Sequence, residues 1–170
     1  MSDVTSVRGV IFDLWDTLVD WPHEQMQRLN VAIADHIGID LPELHQRMRS
    51  TYRISQTGPF ERALRALGVP DEHVPTHVAA RFAFTRGALN PREGVLQTLA
   101  TLRERGIRTG LISMCSEDVA VTWPDTTLAP LIDVATFSAT TGLVKPEPEI
   151  YLHTAETLGV PPSECLFVGD

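Results

Sequence analysis

Four short stretches of this chain hold residues suited to catalysis. Residues 13–17 read Asp13-Leu14-Trp15-Asp16-Thr17, Ser113 follows Leu111-Ile112, Lys145 stands before Pro146, and the last two residues are Gly169-Asp170. Together they supply two separated carboxylates, Asp13 and Asp170, with a hydroxyl, an ammonium and a turn rich in backbone donors. Carboxylates without an all-protein cage suit Mg²⁺, which keeps several of its waters. A hydroxyl and an ammonium suit a phosphoryl group or a similar anion. Of the 14 basic residues only Lys145 is a lysine. Lysine offers a compact charge where arginine would present a wide planar fork.

These residues sit where strands should end. Val10-Ile11-Phe12 is a β-branched and aromatic run that stops at Asp13. Residues 107–112 form a second strand candidate ending at Ser113, residues 134–137 a third, and residues 165–168 a fourth that runs into Gly169-Asp170. Helical periodicity fills the intervals, with Val95, Leu99 and Leu102 on one face before Gly106, a break near Pro124 after a helix starting at Glu117, and a helix over 147–158. From Pro22 to about Leu89 nothing reads as a strand. Met26, Leu29, Ile33 and Ile37 repeat at helical spacing before Gly38. Further helices are predicted over 41–52 and 60–67, and a fourth capped by Asp71 with Val74, Val78 and Phe82 on its inner face. Alternation of strand and helix predicts an α/β fold with a doubly wound, Rossmann-like parallel sheet. The helical block is an insertion after the first strand, which divides the chain into a core of residues 1–19 and 90–170 and a helical cap of residues 20–89. Open α/β sheets bind ligands beyond the carboxyl ends of their strands. A strand ending at residue 168 leaves one sheet face uncovered, so a chain truncated after Asp170 is expected.

Composition narrows the function. With 14 basic against 22 acidic residues the formal charge is −8, which argues against nucleic acid and anionic membranes as partners. No run approaches the ~18 apolar residues of a membrane span. The first residues lack a basic segment followed by an apolar one, and two cysteines, Cys115 and Cys165, are too few for a disulfide scaffold. A cytoplasmic monomer or homodimer acting on a small anionic molecule is the expectation. His73 and His77 lie four apart without a third ligand nearby in sequence, so no second metal is expected there. Arg47, Arg49 and Arg53 read mainly as a solvated face, with room for one of them to reach the site. Trp21 and His23 fall at the hinge into the cap, and Cys115 follows Ser113 closely.

The order and spacing of these stretches resemble the haloacid dehalogenase superfamily of hydrolases. Its first motif, a strand followed by Asp-x-Asp-x-Thr, corresponds to residues 13–17. Its second-strand Ser or Thr corresponds to Ser113. Its Lys before a helix corresponds to Lys145-Pro146-Glu147-Pro148-Glu149-Ile150-Tyr151, and its fourth motif to Gly169-Asp170. The resemblance implies that Asp13 is the nucleophile, forming an aspartyl ester. Mg²⁺ would be held by Asp13, the backbone carbonyl of Trp15 and Asp170. Thr17 would steady the motif turn beside the substrate, and Ser113 and Lys145 would hold the transferring group.

One position departs from the pattern. The family's phosphatases place a second Asp, their general acid and base, where this chain has Trp15. An indole cannot shuttle that proton, although its backbone carbonyl can still face a metal. Asp16, one residue on, is a candidate substitute. The family's dehalogenases also carry an aromatic there, and carbon–halogen cleavage needs no protonated leaving group. They work without Mg²⁺ and lack the Gly-Asp of the fourth motif. Phosphonate-cleaving members need a cap lysine, and residues 22–89 contain none. The leading expectation is Mg²⁺-dependent hydrolysis of a small phosphorylated metabolite through an aspartyl phosphate. The alternatives are a 2-haloacid dehalogenase and a catalytically degenerate phosphoryl-binding domain.

Overall fold

The computed structural model describes residues 7–169, so Asp170 and its expected role as a metal ligand lie outside the described residues. The chain enters through β1 (Gly9–Phe12). It then builds five consecutive helices, α1 (His23–Ile37), α2 (Leu41–Ser50), α3 (Tyr52–Gln56), α4 (Phe60–Leu67) and α5 (Val74–Ala88). Alternation resumes with α6 (Val95–Glu104), β2 (Arg108–Ser113), α7 (Glu117–Thr122), β3 (Val134–Phe137), α8 (Ser138–Thr141), α9 (Pro148–Leu158) and β4 (Cys165–Val168).

The four strands form one all-parallel sheet in the order β3-β2-β1-β4. Side chains alternate across it, as a pleated strand requires. Val10, Phe12 and Leu111 face one layer with Leu99 of α6 and Val119 of α7. Ile11 and Ile112 face the other, with Ile150, Ala155 and Leu158 of α9. Helices on both faces of a parallel sheet make it doubly wound. After β1 the order reverses, with β2 on one side and β4 on the other, and that crevice is where such sheets bind ligands. The register aligns Phe12 with both Leu111 and Val168, so Asp13, Ser113 and Gly169 emerge at the same edge.

The inserted helices have their own core of Ile33, Ala34, Leu44, Leu64, Leu67 and Val74. Two chain segments join this block to the sheet, and they run side by side. Val19 pairs with Pro91, the Arg92 N–H donates to the Leu18 carbonyl at 2.9 Å, and Arg92 Nε lies 3.0 Å from Asp20 Oδ1.

Local boundaries differ from expectation where side chains compete with the backbone. The helix expected over 41–52 breaks at Thr51, whose hydroxyl donates back to the Arg47 carbonyl at 2.8 Å. Asp71 does not cap α5, which starts at Val74. Its carboxylate instead accepts from Arg65 Nε at 2.8 Å. The last core helix starts at Pro148, one residue late, because Glu147 adopts an extended ψ of 131°.

Candidate active site

Asp13 is held in place by the sheet itself. Its N–H donates to the Val168 carbonyl at 2.8 Å, which continues the β1–β4 ladder by one residue. Its carboxylate is largely buried. Oδ1 accepts the Leu14 N–H at 2.7 Å, and Oδ2 lies 2.6 Å from Lys145 Nζ. Lys145 reaches Asp13 from the loop before α9, across 132 residues of chain, and its ammonium lies 5.9 Å from the centroid of the Phe167 ring. A buried ion pair of this kind needs good geometry to offset desolvation.

Ser113 closes β2 with no solvent exposure, and its Oγ has no hydrogen-bond partner among the described residues. Leaving a buried hydroxyl unsatisfied costs about 1–3 kcal/mol, so such a group calls for a ligand. Gly169 follows β4 in close contact with Asp13, and a Cβ there would lie 3.0 Å from the Asp13 Cβ and 2.9 Å from the Phe167 ring. Only glycine lets the two strand ends come this near.

The turn after Asp13 is wound tightly. Asp16 has a left-handed φ of 57°, and its N–H donates to the Val19 carbonyl at 2.7 Å. Its carboxylate accepts the Trp21 N–H at 3.0 Å and is spent on the turn, which weakens the case for it as a substitute acid. Thr17 is half-buried, and its side chain makes no hydrogen bond among the described residues. The Trp15 indole packs against the sheet core and meets Trp21 edge-on, with centroids 4.7 Å apart. The Trp15 carbonyl accepts no hydrogen bond among the described residues. A free carbonyl two residues on from Asp13 in the same turn offers a hard oxygen donor of the kind that suits Mg²⁺.

The cap covers this edge of the sheet. The Glu117 N–H donates to the Gly58 carbonyl at 3.3 Å, Glu117 Oε1 accepts the Phe60 N–H at 3.3 Å, and Arg53 pairs with Glu147 at 2.9 Å. A cavity of about 430 Å³ is walled mainly by cap residues, among them Trp21, Met48, Tyr52, Phe60 and Arg81, and meets the core at Ser116. Tyr52 is raised above the usual phenol range, first by burial and then by the charge of Asp13, which places it within electrostatic reach of the carboxylate. Of the three arginines noted in sequence, Arg49 lines this cavity, Arg53 holds Glu147, and Arg47 is turned to Glu43 and the Leu67 carbonyl.

Several residues here escaped the sequence reading. Arg81 and Thr85 of α5 converge on Asp118 of α7, and the only local signal was a charge set among the apolar positions Val78, Phe82 and Phe84. Burial pushes the Cys115 thiol up to about 12, so it is no nucleophile at neutral pH. His36 joins the two cap histidines, stacking on His73 with centroids 4.0 Å apart and sharing a hydrogen bond of 2.9 Å with His77. Among the described residues no cluster has metal-binding geometry.

The same architecture recurs in known proteins. The model of the haloacid dehalogenase-like hydrolase family matches residues 7–170, and the chain belongs to that family of hydrolases. A glyceraldehyde 3-phosphate phosphatase of Methanopyrus kandleri is 27% identical, the match covering 96% of this chain and 76% of that protein. Among solved structures, a haloacid dehalogenase family enzyme of Bacteroides thetaiotaomicron aligns with a TM-score of 0.72 at 21% identity, covering 97% of this chain and 85% of the other. A phosphatase of the same superfamily from Thermococcus onnurineus aligns with a TM-score of 0.69 at 22% identity, covering 96% and 77%. No helix among the described residues is long and apolar enough to cross a membrane.

Proposed function

We infer that this hydrolase cleaves a small organic phosphate through a phosphoryl group carried on Asp13. The observation that carries the reading is the Asp13 carboxylate at 2.6 Å from Lys145 Nζ, with the unpaired Ser113 Oγ at the neighbouring strand end. One carboxylate oxygen of Asp13 attacks phosphorus, and the bond from phosphorus to the ester oxygen breaks. The leaving alkoxide takes its proton from water. A second water then attacks phosphorus and gives its proton to the hydroxide left by the first, the Asp13–phosphorus bond breaks, and phosphate leaves. Ser113 donates a hydrogen bond to a phosphoryl oxygen. Lys145 offsets its charge and holds the Asp13 carboxylate in position. Thr17 steadies the motif turn, and Trp15 walls the substrate side. Asp13, the Trp15 carbonyl and Asp170 would hold Mg²⁺, which when bound neutralises phosphoryl charge and lets an anionic nucleophile approach. Cap closure excludes bulk water. The phosphatase relative supports the choice of a phosphate ester, and the small cavity favours a metabolite over a macromolecule. The proposed division is a core of residues 1–19 and 90–170 with a cap of residues 20–89, in a cytoplasmic protein.

Trp15 favours a second reading. With an indole where a proton shuttle would stand, displacement of halide from a 2-haloacid would lose nothing. The chain is to be assayed against a panel of phosphomonoesters and against chloroacetate, with and without Mg²⁺. Mg²⁺-dependent phosphate release supports the first reading, and Mg²⁺-independent chloride release replaces it with the second. Failure on both substrates leaves a phosphoryl-binding domain.

A further inference from the structure

The hydrolytic chemistry leaves Arg81 unused. It projects from α5 of the cap with its side chain 11% exposed, and its Nε–H donates to Asp118 Oδ2 of the core at 2.9 Å. Asp118 is closed to solvent. The Thr85 hydroxyl donates to the same Oδ2, and the Ser116 hydroxyl donates to Oδ1. Both carboxylate oxygens are engaged, and only the Nε–H of the guanidinium reaches Asp118. Arginine carries five N–H groups in a fixed fork. One goes to Asp118 and one Nη1 N–H points at Met26 Sδ, 3.4 Å away. The other three have no acceptor among the described residues, and the side chain lines the cap–core cavity.

Aromatic rings flank that fork and leave its free N–H groups facing the cavity. The guanidinium carbon lies 5.3 Å from the Phe84 ring centroid, 5.5 Å from that of Phe60 and 5.9 Å from that of Trp21. A guanidinium shielded from water interacts more strongly with an anion than an exposed one does. Its planar edge matches the paired oxygens of a carboxylate or phosphate. Arg49 adds a second cation to the cavity wall, and among the described residues no aspartate or glutamate lines it.

We propose that Arg81, anchored by Asp118, is a specificity-determining residue that binds a second oxyanion at the organic end of the substrate. The preferred substrates are phosphomonoesters carrying a carboxylate or a second phosphate within reach of the cavity. This rests on the phosphatase reading, and the test separates the two.

The full chain, with Mg²⁺, is to be compared on three-carbon phosphomonoesters ending in a carboxylate, a second phosphate or a methyl group. Wild type should favour at least one charged ester over the methyl ester by tenfold or more in kcat/KM. The double variant Arg81→Met/Asp118→Asn removes both charges and leaves no orphaned carboxylate. In it the preference should fall below threefold, mainly through KM. Arg81→Lys, which keeps charge but loses the fork, should fall between the two. A wild-type ratio near one, or a ratio that survives in the double variant or in Arg81→Lys, overturns the proposal while leaving the phosphatase reading intact. Calorimetry with the matching carboxylate-ended and methyl-ended phosphonates gives a readout without turnover. Tighter binding of the carboxylate-ended phosphonate by wild type, lost in the variants, supports Arg81 even if no ester is hydrolysed, in which case only the phosphatase reading falls.

Discussion

On the phosphatase reading, turnover hinges on Trp15. It stacks edge-on against Trp21 at 4.7 Å and offers no proton where an alkoxide would leave. General acid–base catalysis is worth roughly 10²–10⁴-fold. Trp15→Asp should therefore raise kcat on alkyl phosphates by at least about tenfold, after some loss from the broken stack. Nitrophenyl phosphate, whose leaving group is stable without a proton, should respond little. Asp13→Asn should abolish phosphate release in both backgrounds, because it removes the attacking oxygen. A steady-state comparison of the two ester classes reads all of this. A dehalogenase would behave in the opposite way, since Trp15→Asp sets a second anion beside Asp13 and repels an incoming carboxylate. A folded Trp15→Asp protein with no gain on alkyl esters removes the impaired-shuttle explanation.

Among the elements, the ends of strands and helices matter more than their middles. The close pass of β4 over β1 depends on Gly169, where a methyl would push on both Asp13 and Phe167. Displacing a reacting group by about 1 Å can cost on the order of 10²-fold in rate. Gly169→Ala should lower kcat by at least tenfold with the far-UV circular dichroism unchanged, and full activity in that variant would show that the strand ends have slack. In the cap, Asp40 caps α2, its Oδ1 accepting the Glu43 N–H at 2.8 Å. Losing such a cap costs about 1 kcal/mol. Urea unfolding of Asp40→Ala should show a lower midpoint, and the catalytic constants should stay the same because the exposed Asp40 carboxylate serves the start of α2 alone.

At the scale of the whole molecule, the cap carries a pH dependence of its own. Burial, followed by the nearby His36 and His73, lowers His77 below the ordinary imidazole value of 6.5. The unfolded chain then binds a proton more readily than the folded one, so stability is fully present above about 6.5 and is lost as pH falls below it. Protonation of both partners would also set N–H against N–H across the 2.9 Å contact between His36 and His77. The melting temperature should drop between pH 7.5 and pH 5.5, and His77→Gln should reduce that drop. An unchanged slope in the variant would assign the acid sensitivity elsewhere.

Local pattern determined much of this protein. The β-branched run before Asp13, the strand ending at Ser113 and the helix after Lys145 are written in short-range periodicity, and a residue at a strand's end is already near the ligand edge of an open sheet. The helical character of residues 23–88 was legible for the same reason, as was the departure at Trp15. The tertiary structure alone decided the rest. The order β3-β2-β1-β4 places Gly169 against Asp13, and no periodicity records which strands become neighbours. Arg81 meets Asp118 across 37 residues, from helices in different parts of the fold. Tyr52 comes under the influence of Asp13 only because the cap folds back over the sheet. Helical and strand patterns relate residues two to four positions apart. The contacts that shape the cavity join residues whose separation in sequence has no such rule, so they exist only once the chain has packed.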